Sequence, residues 1–122
     1  MAAPKVYYNS ACPVCRAGVA DQKRRMDKHG VAAEWCDIAA TPAAAKEIDA
    51  GLDTVRHSLH VVDEHGRLAV GADAFAALWR ATPGRRWLAR LISAPVVRPI
   101  ARWLYDRFAD RLFAWNRRNG RW

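Results

Sequence analysis

Long apolar runs are missing from this 122-residue chain. A helix needs about 20 such residues to cross a bilayer. The best stretch, "WLARLISAPVVRPIARWLY", is cut by Arg90, Arg98 and Arg102, so no membrane span is expected. The opening "MAAPKVYY" has no charged segment followed by an apolar run, so no secretory leader is expected either. Cysteine is scarce. Cys12, Cys15 and Cys36 are too few and too unevenly spaced for a disulfide scaffold. They fit a cytoplasmic protein, where a CxxC pair serves catalysis or metal binding more often than cross-linking. Acidic residues are scarce in one region only. Residues 85–122 hold ten arginines against Asp106 and Asp110, whereas residues 1–84 are balanced at ten and ten. The whole net charge of +8 therefore falls in the last third. Internal repeats, low-complexity segments and nucleic-acid-binding motifs are also absent. The charge then reads as a solvated helical face, a site for an acidic protein partner, or a surface peripheral to an anionic membrane. Nucleic acid is the least favoured partner.

What is present is a globular pattern. Half the residues are apolar (52%), which excludes disorder, and the length fits one domain. "KVYY" (5–8) reads as a short buried strand. Pro13 suits the first turn of a helix running to about His29, with Cys15, Val19, Gln22 and Met26 on one face and Gly30 as terminator. "VAAEWCDI" (31–38) reads as a second strand. Thr41-Pro42 opens a helix of about 42–50, with Thr41 as N-cap and Gly51 as its end. "RHSLHVVD" (56–63) and "RLAV" (67–70) read as a hairpin turning at 64–66. Residues 71–81 then form a helix with Phe75, Leu78 and Trp79 facing inward. Two more helices follow, about 85–93 and 96–117. In the last, Ile100, Trp103, Leu104, Phe108, Leu112 and Trp115 make an apolar stripe.

The order β-α-β-α-β-β-α, with a right-handed β-α-β unit joined to a hairpin, defines an α/β, thioredoxin-like core. It carries a four-stranded mixed sheet and additional C-terminal helices. Residues 1–83 are expected to form that core. Residues 84–122 are expected to form a basic helical extension packed on the same domain.

The pair in "NSACPVC" lies at the junction of the first strand and first helix. With Pro13 as first helical residue, Cys12 becomes the N-cap. Its sulfur meets unpaired backbone N–H groups, including that of Cys15, and the positive helix end favours thiolate. Arg16 adds positive charge. Cys12 is thus the expected exposed nucleophile, and Cys15, one turn inward, the less exposed resolving thiol. Asp37, at the end of the second strand, is placed either as a base for Cys15 or as a plain loop carboxylate. Two other readings of the pair stand beside this one. The first is a metal site using Cys36 and one of His29, His57 or His60. The second is two inert core cysteines. Cys36 itself reads as a small buried hydrophobe. His57 and His60 differ by three positions and on a strand would face opposite sides, so packing or surface roles are expected of each.

The stretches "VYYNSACPVC", "WCDI" and "LHVVDEHGRLAVGADAFAALWRATPGRRWLARLI" resemble the DCC family of thiol–disulfide oxidoreductases over roughly residues 5–110. Gly66, Gly71, Ala72, Ala74, Phe75, Leu78 and Trp79 fall on the family pattern, and Asp37 falls on its aspartate. The resemblance implies an oxidoreductase acting on a protein or small-molecule disulfide or thiol, with no cofactor. One departure is Asn9-Ser10, where the family has Asp-Gly: Asn9 can turn the chain but cannot act as a carboxylate base. Another is Ser58, near the place where thioredoxins proper carry a cis-proline. A different class of function, a binding module, would instead use the arginine-rich helices with Trp87, Trp103, Trp115 and Trp122. Packing of Trp87 and Trp103 on the sheet is the plainer expectation for those two.

Overall fold

A computed structural model describes residues 3–49 and 51–121. The elements run β1 (Lys5–Tyr8), α1 (Pro13–Lys28), β2 (Glu34–Asp37), a 3-10 helix (Pro42–Ile48), α2 (Leu52–His57), β3 (His60–Val62), β4 (Leu68–Val70), α3 (Ala72–Arg80), α4 (Arg86–Ser93) and α5 (Val97–Arg118). The sheet order is β2-β1-β3-β4. β1 pairs parallel with β2 and antiparallel with β3, and β3 pairs antiparallel with β4. This is the mixed four-stranded sheet of a thioredoxin-like fold.

β1 is central and buried on both faces, because successive side chains of a strand point opposite ways. Val6 packs with Met26 of α1, Val61 of β3, and Ala74, Ala77 and Leu78 of α3. Tyr7 packs on the other face with Ile38, Ala44 and Ala45 of the 3-10 helix, and Val55 of α2. The sheet is thus sandwiched between α1 and α3 on one side and the 3-10 helix and α2 on the other. A buried pair of hydrogen bonds ties α1 to the end of α3. Gln22 Nε2 donates to Thr82 Oγ1 at 2.6 Å, and Thr82 Oγ1 donates to the Leu78 carbonyl at 2.7 Å.

The structure corrects several local expectations. The segment after β2 is a 3-10 helix, and Thr41 makes no side-chain cap. It ends at Asp49, which takes a left-handed conformation (φ 57°). Gly51 does not end that helix but caps the start of α2; Ala50, included in the expected helix, lies outside the described residues. The expected third strand begins too early, because residues 52–57 are helical and pairing starts only at His60. "LDTVRH" carries β-branched residues and lacks a side-chain cap, so local propensity favours a strand; burial of Val55 against Tyr7 favours the helix. In α3 the deeply buried residues are Ala74, Ala76 and Leu78, while Phe75 and Trp79 are only half-buried.

The largest correction concerns α5. Its inward face is Ala101, Tyr105, Ala109 and Asn116, with Leu112 and Phe113 half-buried. The stripe of Ile100, Trp103, Leu104, Phe108 and Trp115 is exposed; only Leu112 of it is not. Nor do Trp87 and Trp103 pack on the sheet: they are 62% and 61% exposed. Small residues let α5 approach α2 and α3 closely, so the helix turns its large side chains outward. Trp122 lies outside the described residues.

Candidate functional site

The turn from β1 into α1 is built by side chains that mimic backbone partners. The Asn9 carbonyl accepts the Cys12 N–H at 3.3 Å, and Asn9 Oδ1 accepts the Ala11 N–H at 3.0 Å. The parallel register places Tyr8 beside Asp37. Asp37 Oδ1 then accepts the Ser10 N–H at 3.1 Å and the Ala39 N–H at 3.0 Å. Partial burial pushes the Asp37 carboxyl upward, but the hydrogen bonds from Ser10 and the backbone outweigh this and leave it below the usual range. Asp37 is therefore a carboxylate that fastens the loop ahead of the cysteines.

Cys12 is the N-cap of α1, with Pro13 at the first helical position, and its Sγ accepts the Cys15 N–H at 3.3 Å. This is the geometry expected from the sequence. The accessibility is the reverse of the expectation. Cys12 is fully buried (0% exposed), while Cys15 is half-buried. The N-cap sulfur turns toward the first helical turn, where it accepts the Cys15 N–H. Cys15, one turn along, lines a cleft instead. Its thiol is pushed up to about 12, first by burial, then by the hydrogen bond and negative charge of Cys12; a backbone N–H opposes this. Arg16 is exposed on the same turn.

The cleft, about 170 Å³, lies between α1, α2, α3 and α5 and is mostly apolar. Phe75, Tyr105 and Phe108 wall it; Ser58 and His57 supply polar atoms. Tyr105 Oη accepts the Leu59 N–H at 3.1 Å. Its pKa is raised to about 12 by burial, against that N–H, and further by the negative charge of Cys15, Asp106 and Cys12. The phenol therefore keeps its proton as a donor in the cleft. His57 lies between Ser58 Oγ (2.6 Å from Nδ1) and Asp110 Oδ1 (2.6 Å from Nε2), which ties the end of α2 to α5. His57 is thus helical rather than on a strand. His60 is buried in β3, and burial lowers its pKa against a hydrogen bond from its Nδ1 to the Ser58 carbonyl at 2.9 Å. Ser58 is buried beside the cleft in extended backbone, and every peptide bond among the described residues is trans.

Tyr105 and Asp110 were not marked as site residues by the sequence, and His57 was marked only as an alternative metal ligand. The signal that could have found Tyr105 is the spacing Ala101–Tyr105–Ala109, a small-residue face interrupted by one polar-tipped aromatic. Cys36 lies apart in β2, in register with Tyr7 and packed on the second core cluster. Among the described residues no three His, Cys, Asp or Glu side chains converge as a metal ion would require.

A thioredoxin-like sheet with a CxxC at the first strand-to-helix junction defines a dithiol protein of the thioredoxin class. The chain belongs more narrowly to the DCC1-like thiol-disulfide oxidoreductase family, whose model matches residues 6–118. Comparison with curated proteins and with solved structures finds no match.

Proposed function

We propose that this chain is an enzyme that exchanges disulfides through Cys12 and Cys15. The observation that carries the reading is the Cys12 sulfur at the helix N-terminus, accepting the Cys15 N–H beside an apolar cleft. Cys12, as thiolate, attacks a substrate disulfide. A Cys12–substrate bond forms, the substrate S–S bond breaks, and the departing thiolate takes a proton. In the mixed disulfide Cys12 carries no charge, so two of the influences that hold the Cys15 proton disappear. Cys15 then loses its proton, attacks Cys12 and releases the second substrate thiol, which takes up that proton. The protein is left as a disulfide and the substrate has gained two electrons. An external dithiol reverses the change in the protein.

Asn9, Ser10 and Asp37 hold the loop, Pro13 starts the helix, and Arg16 adds positive charge near it. Because Cys12 is buried, the structure around it must open for a protein disulfide to reach its sulfur. The apolar cleft favours substrates with an apolar group flanking the disulfide, whether protein or small molecule. We place the reaction in the cytoplasm, where a CxxC pair serves exchange rather than cross-linking. The test is insulin reduction with dithiothreitol as electron source. Cys12→Ser should lose activity by at least about 100-fold, a usual scale for loss of a nucleophile. Cys15→Ser should accumulate a mixed disulfide visible by mass spectrometry. Undiminished activity of Cys12→Ser would remove the nucleophile assignment.

A further inference from the structure

Among the described residues, much of the surface of α4 and α5 consists of large, exposed apolar side chains. Trp87 and Leu91 of α4, and Val96 in the link, are exposed. Ile100, Trp103, Leu104, Phe108 and Trp115 of α5 are exposed as well. Cations are interleaved with them. Arg98 and Arg102 are paired to Asp73, and Arg85 to Asp21. Arg86, Arg90, Arg107, Arg111, Arg117 and Arg118 are exposed and have no carboxylate partner among the described residues. Arg107 lies over the Trp103 ring at 5.7 Å, and Arg121 over Trp115 at 4.4 Å. The acids of this region do not compensate, because Asp110 is engaged by His57 and only Asp106 remains.

We infer that this face docks on an anionic membrane surface, lying in the headgroup plane. Charge complementarity selects that occupant. A second copy of the chain would set arginine against arginine across a two-fold axis. A bilayer with acidic headgroups offers negative charge all along the helices and an apolar layer below it. Large apolar side chains, tryptophans among them, interleaved with arginines on a helix are the composition of in-plane membrane helices. The apolar side chains are spread along α4 and the full length of α5, which suits a planar surface. Among the described residues no helix is long and apolar enough to cross a membrane, so the contact is peripheral.

The experiment is sedimentation of the full-length reduced protein with vesicles of phosphatidylcholine alone or with 30% phosphatidylglycerol, at physiological and high salt. Binding is expected to be about 10-fold or more tighter to the anionic vesicles and to weaken with salt. Ile100→Glu with Trp103→Glu should abolish it while the circular dichroism spectrum is unchanged. Arg107→Glu with Arg111→Glu is the second variant and should do the same. No binding to anionic vesicles at physiological salt would overturn the inference, as would undiminished binding by a folded variant. Equal affinity for soluble polyglutamate would point to an acidic protein instead. A concentration-dependent dimer in ultracentrifugation, broken by the same variants, would assign the face to a second copy. Either result would also overturn it.

Discussion

Asp37 shows how a side chain at a sheet edge can be held by the loop beside it. From the sequence it is either a base for Cys15 or a loop carboxylate; in the structure its Oδ1 accepts the Ser10 and Ala39 N–H groups. Asp37→Ala should therefore loosen the loop, costing about 0.5–1.5 kcal/mol in urea unfolding at pH 7, the usual net worth of a hydrogen bond. The folded-state pKa is depressed, so this stabilisation is present above the unfolded value and is lost as pH falls through the folded one. The gap between variant and wild type should narrow in acid. Tyr7, Tyr105 and Cys15 carry the opposite sign. All three are raised to about 12. Their contributions are complete below the unfolded values and disappear as pH climbs through the folded ones. Urea midpoints should be level near neutrality and fall between about pH 9 and 12, with part of that fall missing in Tyr105→Phe. Asn9 gives a third expectation. Asn9→Asp places a negative charge near Cys12 and should make a Cys12–Cys15 disulfide harder to reduce, because an anionic sulfur in the reduced form would be repelled. Equilibration with glutathione reads this directly.

At the scale of elements, the sheet and α1 were legible because each carries one dominant signal. β1 is a short apolar run, and α1 has a proline at its start and a glycine just beyond its end. The cysteine pair was legible for the same reason, since Pro13 makes Cys12 the cap. The relative exposure of its two sulfurs was not, because that depends on long-range packing, including the helices that wall the cleft beside Cys15. α5 carries two stripes at helical spacing, and hydrophobicity picks the wrong one. The packed stripe is made of alanines and Tyr105, chosen for closeness rather than for apolar area. Ala109→Leu should consequently cost about 1–3 kcal/mol by overpacking. Leu104→Gln should shift stability by less than about 0.5 kcal/mol, since its side chain is exposed. Gly71, which caps α3 with φ 67°, faces the same helix. A Cβ there would stand 3.1 Å from Tyr105 Cδ1. Gly71→Ala should cost about 1–3 kcal/mol through backbone strain and the crowding of Tyr105. Thermal melts rank these three variants.

Across the whole molecule, the basic third is tied to the core through the cleft. Tyr105 reaches Leu59, Asp110 reaches His57, and Phe108 walls the space beside Cys15 while part of it faces solvent. We propose on this ground that residues 1–83 and 84–122 fold as one unit. A chain ending at Gly84 should lose its sharp urea transition and bind a hydrophobic dye. The same long-range closure has a consequence for biosynthesis. Cys12 leaves the ribosome roughly 90 residues ahead of Tyr105 and Phe108, an interval of several seconds or more at ordinary elongation rates. Throughout that time the cleft beside Cys15 is unwalled, and the nascent chain carries the pair without its closing helix. The cysteine pair is thus open to oxidants until the last helix is made.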